Sequence, residues 1–191
     1  MVIRDWSSDV CSSDLGEPVN ITKSGYIDEK PYFTDDGKSI IWSSDRMGLR
    51  DYNVETAQSD IYRIFLSKEA FRRHRLSQEE KLLARDDSRE IDNSTPKIVG
   101  EDVRHTIQKL TPFSLRPLYY RLLPDNETLF LVAAQPPAGL NAYISNPLNG
   151  DFRQIFNYPG LFSSSFAMDK EAGVLYFLGH NGIAKFDFNQ N

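Results

Sequence analysis

Apolar and polar positions alternate along most of the chain in short runs, and a turn rich in Asp, Asn or Gly ends many of them. The hairpin from Pro31 to Arg46 shows the pattern most clearly. Its apolar runs Pro31–Thr34 and Ser39–Trp42 are too short for helices and predict two strands. Asp35-Asp36-Gly37-Lys38 between them predicts a tight turn. Further strands are predicted at 60–66, 103–110, 118–123, 128–134, 141–146, 152–156, 163–168, 174–178 and 183–188.

The plan of strand, Asp-led turn and apolar strand occurs three times, with Ile40, Leu129 and Leu175 at equivalent places. Leu129 and Leu175 are separated by close to the roughly 40–45 residues that repeat in β-propeller blades. Ile40 precedes Leu129 by about one such period plus an insertion. The alternative is an antiparallel sandwich with similar hairpins, and the repeat spacing favours the propeller.

The segment from Ser67 to about Arg85 differs in composition from the strands and is rich in Glu, Lys, Leu and Arg. It predicts two short helices, Lys68–Arg73 and Gln78–Arg85. Ser77 and Glu80 fit a capping box that would begin the second helix. The polar stretch that follows, 86–96, predicts a loop.

These elements predict an all-β fold, a partial β-propeller of about two and a half to three blades of four-stranded antiparallel sheet, with a short helical insertion. Residues 16–66 are assigned to the end of a preceding blade and the first blade. The insertion and its loop take 67–102, the second blade 103–160 and a partial third blade 161–191. The last residues lie in or just after a predicted strand, so we expect the domain to be truncated there.

Residues 1–15 are excluded from the fold, because 5–15 resemble the translation of a sequencing adapter found in assembled metagenomic genes. Cys11, the only cysteine, lies within this stretch. We therefore expect the native domain to have no disulfide and no thiol chemistry.

The net charge of −5 gives no electrostatic reason to expect a nucleic-acid partner. No apolar run is long enough to cross a membrane as a helix. The basic run Arg72–Arg75 is followed by Glu79 and Glu80, which favours a solvated helix face.

Motifs for catalysis, metals and cofactors are not recognised in the sequence. The serines of 163–165 lack the glycines that flank a hydrolase nucleophile. His74, His105 and His180 lack zinc-ligand spacing. Asp35-Asp36-Gly37 lacks the remaining ligands of a calcium loop, and no glycine-rich phosphate loop occurs. The sequence predicts no catalytic residue, no metal and no cofactor.

One polar loop is a candidate binding site. Asp45, Arg46 and Arg50 follow a strand, at a position where propellers often place ligand contacts. The competing interpretation is a surface ion pair. These three residues are the predicted peptide contacts.

Several segments together resemble the amino-terminal propeller of tricorn-like serine peptidases of Bacteroidetes-type bacteria, in the C-terminal-processing (tail-specific) peptidase family. The resemblance rests on 18–26, the hairpin through 42–50, Asp60-Ile61-Tyr62, and the insertion motifs Glu69-Ala70-Phe71 and Leu76–Glu80. It combines a TolB-like blade with a helical insertion, and it weakens after about Leu83.

The resemblance implies a non-catalytic scaffold that admits peptide substrates, in a periplasmic or secreted enzyme. Its partners would be peptides and the remaining propeller, PDZ and peptidase domains, with homo-oligomers an open option. The catalytic residues would lie outside this chain. Two alternatives remain: a TolB-like interaction propeller of the cell envelope, and the propeller of a prolyl-oligopeptidase-type hydrolase.

Overall fold

The computed structural model describes residues 20–49, 57–77, 79–81, 83, 103–134, 139–159, 162–169, 171–179 and 182–187. These residues form three antiparallel sheets, in which strands that follow one another along the chain are hydrogen-bonded neighbours. The first sheet contains β1 (Asp28–Phe33), β2 (Ser39–Ser44), β3 (Asp60–Phe65) and β4 (Gln108–Lys109). The second contains β5 (Pro117–Leu122), β6 (Leu129–Ala134), β7 (Leu140–Asn146) and β8 (Asp151–Tyr158). The third contains β9 (Phe162–Asp169), β10 (Val174–Gly179) and β11 (Gly182–Asp187).

The hairpin that joins β1 to β2 has the predicted turn. Gly37 adopts a φ of 66°, in the left-handed region that glycine enters at little cost. Its N–H donates to the carbonyl oxygen of Thr34 at 2.9 Å. Asp36 Oδ1 accepts from the backbone N–H of Lys38 at 3.0 Å and from the Thr34 hydroxyl at 2.6 Å. Asp36 therefore accepts from two donors of the turn and stabilises it.

The helical insertion follows β3. Helix α1 (Lys68–Arg75) runs two residues past its predicted end, and its N-cap Ser67 accepts from the N–H of Ala70 at 3.1 Å. Residues 79–81 and 83 are helical as well. The capping box is present: Glu80 N–H donates to Ser77 Oγ at 3.2 Å, and Ser77 N–H donates to Glu80 Oε2 at 2.8 Å.

The predicted strand 103–110 is wrong in its first half. Arg104–Thr106 form a single 3₁₀ turn, and only Gln108–Lys109 pair with β3. The buried Thr106 hydroxyl accepts from the Phe65 N–H and thereby takes the place of a strand partner there. Because β4 completes the first sheet, the second sheet begins at Pro117, and the predicted blade boundary at 103 falls within the first sheet's chain segment.

Apolar side chains fill the two spaces between the sheets. The cluster between the first and second sheets consists of Ile41, Ile61, Leu110, Tyr120, Leu122, Leu129 and Leu131. The cluster between the second and third consists of Phe130, Val132, Leu140, Ala142, Leu175, Phe177 and Phe186. β6 supplies both clusters from alternate positions, as expected of a strand buried on both faces.

The other face of the first sheet carries a third cluster, formed around Trp42, Tyr62 and Ile64 with Ile40 packed against it. Ile40, Leu129 and Leu175 thus lie on corresponding faces of their sheets, as the repeat predicted.

Candidate functional site

The first strands of the three sheets, β1, β5 and β9, form one surface, which we call the inner edge. Each is an edge strand of its sheet. Tyr120 on β5 donates its hydroxyl to the Lys30 carbonyl oxygen of β1 at 2.7 Å, and the Leu122 N–H donates to the Tyr32 hydroxyl at 2.9 Å. The rings of Tyr119 and Phe166 lie 5.6 Å apart and join β5 to β9. Side chains rather than a backbone ladder therefore hold the three strands together.

Arg121 lies at the centre of the inner edge. Its guanidinium carbon is 4.0 Å from the ring centre of Tyr32 and 5.1 Å from that of Tyr119. Its Nη1 donates to the Tyr120 carbonyl oxygen at 2.8 Å. We call Arg121, Tyr32 and Tyr119 the arginine clasp. Cation–π contacts of this kind hold a guanidinium in place and leave most of its N–H donors unused.

The three tyrosines nearest Arg121 do not ionise at physiological pH. Burial raises the pKa of Tyr32, Tyr119 and Tyr120 above the usual range, and the nearby Arg121 cation offsets only part of that rise. The phenols are therefore neutral at physiological pH. Within the described ranges, Arg121 makes no ion pair. Arg121 thus places a guanidinium in partly buried surroundings at the inner edge, with no ion-pair partner among the described residues.

The predicted contact residues lie elsewhere, in the loop that follows β2. Asp45 is hydrogen-bonded to Ile27, the residue before β1, whose N–H donates to Asp45 Oδ1 at 2.9 Å. The Arg46 guanidinium lies 5.5 Å from the ring centre of Tyr26 and 5.3 Å from that of Tyr62. Arg50 falls outside the described residues. A peptide contact at Asp45, Arg46 and Arg50 stays a prediction.

A second polar group lies where the helical insertion meets the second sheet. Arg63 is 2% exposed, and its Nε donates to Ser39 Oγ at 2.8 Å while Nη1 donates to the Asn126 carbonyl oxygen at 2.7 Å. Lys81 on the insertion makes an ion pair with Glu127 in the turn between β5 and β6. Both contacts join the first sheet and its insertion to the second sheet.

Burial governs the ionisation of this group. It lowers the pKa of Arg63 to about 10, well above neutrality, so that the guanidinium stays charged. It also lowers the pKa of His74 on α1 to about 4, with the neighbouring Arg63 cation acting in the same direction. His74 packs its ring 4.9 Å from that of Phe65. A neutral imidazole in this position acts as a packing residue.

In the described part of the chain, His, Cys, Asp and Glu side chains do not gather in any group of three that would hold a metal ion. Nor is any described helix long and apolar enough to cross a membrane.

The chain is similar in structure to a solved protein titled "Crystal structure of the tricorn protease". The match has a TM-score of 0.53 and 13% sequence identity, and it covers 88% of this chain and 17% of the other. The chain therefore spans about a sixth of the length of that protein. No protein-family model and no curated protein matches the chain.

The chain has the fold of a partial β-propeller. The three stacked meander sheets and the likeness to the tricorn protease both support this assignment, in agreement with the fold that the sequence predicted. In this fold, the sheets are the blades and the inner edge is the side of each blade nearest the propeller axis.

Sequence reasoning missed the arginine clasp. Leu118–Leu123 was recognised as a strand, but nothing in it shows that Arg121 would meet Tyr32, which lies in another blade. The available signal was a cation between aromatic residues in the first strand of a repeat.

Proposed function

We propose that this chain is a non-catalytic propeller region of a tricorn-like serine peptidase of the C-terminal-processing family. It would support the assembly of the enzyme and admit or bind peptide substrates at its inner edge, while a domain outside this chain performs the proteolysis. The periplasmic or secreted location, the Bacteroidetes-type source and the adapter origin of residues 5–15 belong to the same proposal.

The inner edge is the observation that carries this proposal. Edge strands present backbone N–H and C=O groups that a further extended chain can pair with. Here three edge strands, β1, β5 and β9, lie side by side. Tyr32, Tyr119 and Phe166 give the inner edge an aromatic side chain from each strand, and the rings of Tyr32 and Tyr119 contact the Arg121 guanidinium. An extended peptide supplies both the backbone and the side chains that such a surface accommodates.

The absence of a recognisable nucleophile–base pair in the sequence supports the non-catalytic part of the proposal. The parent enzyme would then depend on other domains for its chemistry. A gene that continues into a PDZ module and a peptidase core would support this assignment. A stop codon after the propeller would favour the TolB-like alternative, and a Gly-x-Ser-x-Gly hydrolase the prolyl-oligopeptidase alternative.

Binding and cleavage are tested with the same peptides. The purified 191-residue chain is titrated with fluorescein-labelled extended peptides by fluorescence anisotropy, and the mixtures are then analysed by mass spectrometry. We expect binding without cleavage. The matched control is a peptide of the same sequence with N-methylated backbone nitrogens, which cannot pair with an edge strand and should bind weakly or not at all.

Two results would contradict the proposal. Equal binding of the methylated and unmethylated peptides would exclude pairing with the edge strands. Cleavage by the pure chain that is lost when one of its serines is replaced would show that the propeller itself is catalytic.

A further inference from the structure

Arg121 and Arg63 are both partly or wholly buried arginines near the interface of the first two blades, and their donors are used differently. Arg63 donates from Nε to a side chain of its own blade and from Nη1 to a carbonyl oxygen of the next. Arg121 donates a single hydrogen bond, to the backbone of its own strand. Of the described arginines in these two blades, Arg121 is the one held at the inner edge with most of its donors uncommitted.

Tyr32 and Tyr119 contact the guanidinium through their rings. Among the described residues the group donates one hydrogen bond, so its other N–H groups remain for a partner. A carboxylate matches that fork of donors with two parallel hydrogen bonds. Partial burial strengthens such a pair relative to one in open solvent.

The position of Arg121 within β5 indicates which carboxylate would bind. Arg121 is the fifth residue of a six-residue strand, and an extended peptide that pairs with this edge presents alternate side chains along its length. A peptide that continues past this end of β5 meets Arg121 with a side chain, whereas its C-terminal carboxylate reaches Arg121 only if the peptide ends beside it.

We propose that Arg121 recognises the side-chain carboxylate of an acidic residue in a peptide bound along the inner edge, so that the propeller selects extended peptides with a Glu or Asp at this point. This proposal rests on the proposed function, because it assumes that peptides bind at the inner edge.

The test compares three labelled peptides that differ in one group: one with a central Glu, one with Gln at that position, and the Glu peptide with an amidated C-terminus. Each is titrated by fluorescence anisotropy against the wild-type chain and against Arg121→Gln, Arg121→Lys and Arg153→Gln. Arg153 lies exposed on β8, the strand of the second blade farthest from the inner edge, and serves as the matched control. Circular dichroism verifies that each variant is folded.

We expect the wild-type chain to bind the Glu peptide about tenfold more tightly than the Gln peptide, a typical effect for one charge-assisted pair. Arg121→Gln should abolish this preference, Arg121→Lys should retain part of it, and Arg153→Gln should leave it unchanged. Amidation should have no effect.

The outcomes separate the two proposals. Equal wild-type affinity for the Glu and Gln peptides would overturn carboxylate recognition and leave peptide binding intact. A preference that survives Arg121→Gln in a folded variant would overturn the role of Arg121. A loss of binding on amidation would show that the peptide C-terminus is the bound carboxylate and would overturn the side-chain assignment. Failure of every peptide to bind would overturn the proposed function and this inference together.

Discussion

Two arginines show how surroundings decide the role of a residue. Arg63 is 2% exposed, and both of its hydrogen-bond acceptors belong to the protein. Its ring contact with Phe65, at 4.2 Å, completes the enclosure. A buried cation is tolerated only when such partners replace water. Arg63 therefore contributes to stability by linking two blades, whereas Arg121 donates one hydrogen bond among the described residues.

Replacement of Arg63 by Met should destabilise the chain by about 3 kcal/mol, because the Asn126 carbonyl oxygen and the Ser39 hydroxyl lose a buried charged donor. Urea denaturation followed by tryptophan fluorescence measures the loss. Arg73→Met is the control, since Arg73 makes an exposed pair with Glu69 on α1 that is worth about 0.5 kcal/mol or less. Equal losses in the two variants would contradict the linking role of Arg63.

His74 should make stability depend on pH. Its folded-state pKa of about 4 lies below the unfolded value of about 6.5, so the unfolded chain binds more protons between these values. The contribution is complete above pH 6.5 and is lost as the pH falls towards 4. Arg63 and Lys81 oppose protonation of the ring and Glu127 favours it.

The measurement is the urea midpoint at pH 7 and at pH 5, for the wild type and for His74→Phe. Phe preserves the stacking on Phe65 but does not titrate. We expect the wild-type midpoint to fall more than that of the variant. Parallel shifts would assign the pH dependence to other groups.

At the scale of elements, the strands that fill a core were predictable and the short outer strand was not. The apolar run 128–134 predicted a strand, and β6 occupies 129–134. In 103–110 the alternation of apolar and polar residues is loose. Thr106 lies in a 3₁₀ turn, and its hydroxyl, not its backbone, bonds to β3 by accepting from the Phe65 N–H. A local pattern does not carry information of that kind.

The candidate site illustrates the same limit. The loop of Asp45 and Arg46 was visible in the sequence because polar residues followed a strand. The arginine clasp was not, because its residues belong to two blades and look like ordinary strand residues within each. Which strands become neighbours across blades is a property of the repeat and cannot be read from any one hairpin.

The helical insertion should depend on the second blade for its position. Lys81 and Glu127 form a pair that is about three-quarters buried on both sides, so we expect a coupling energy of about 1 kcal/mol, at the upper end of the range for surface pairs. A double-mutant cycle with Lys81→Ala and Glu127→Ala measures it. The coupling should shrink in 1 M NaCl. A coupling energy of zero would mean that the insertion docks by apolar contacts alone.

At the scale of the molecule, the stack of blades has two unlike ends. The outer face of the first blade is covered around Trp42 and Tyr62 by residues of the same chain, among them Ile21 and Val103. The third blade instead exposes Tyr176, Leu178 and Ile183 on its outer face. Exposed apolar groups that adjoin a sheet edge favour association between molecules.

The isolated chain should therefore self-associate as its concentration rises. Leu178→Lys should increase the monomer fraction, measured by analytical ultracentrifugation over a range of concentrations. Leu83→Lys is the matched control, because Leu83 is exposed on the helical insertion, away from the third blade. A similar gain in both variants would show that added charge, and not this face, is responsible.

The late return of β4 has a consequence for how this protein can vary. The chain leaves the strands of the first blade after Phe65 and rejoins them at Gln108 on β4, which β2 and β3 separate from the inner edge. Lengthening such an excursion costs little, about 0.6 kcal/mol for each doubling. The segment on the outer side of the first blade can therefore lengthen without changing the residues of the inner edge. The test is to insert glycine–serine segments of increasing length between Phe65 and Gln108 and to measure peptide affinity. Unchanged affinity would show that the outer side of the blade can vary independently of the inner edge.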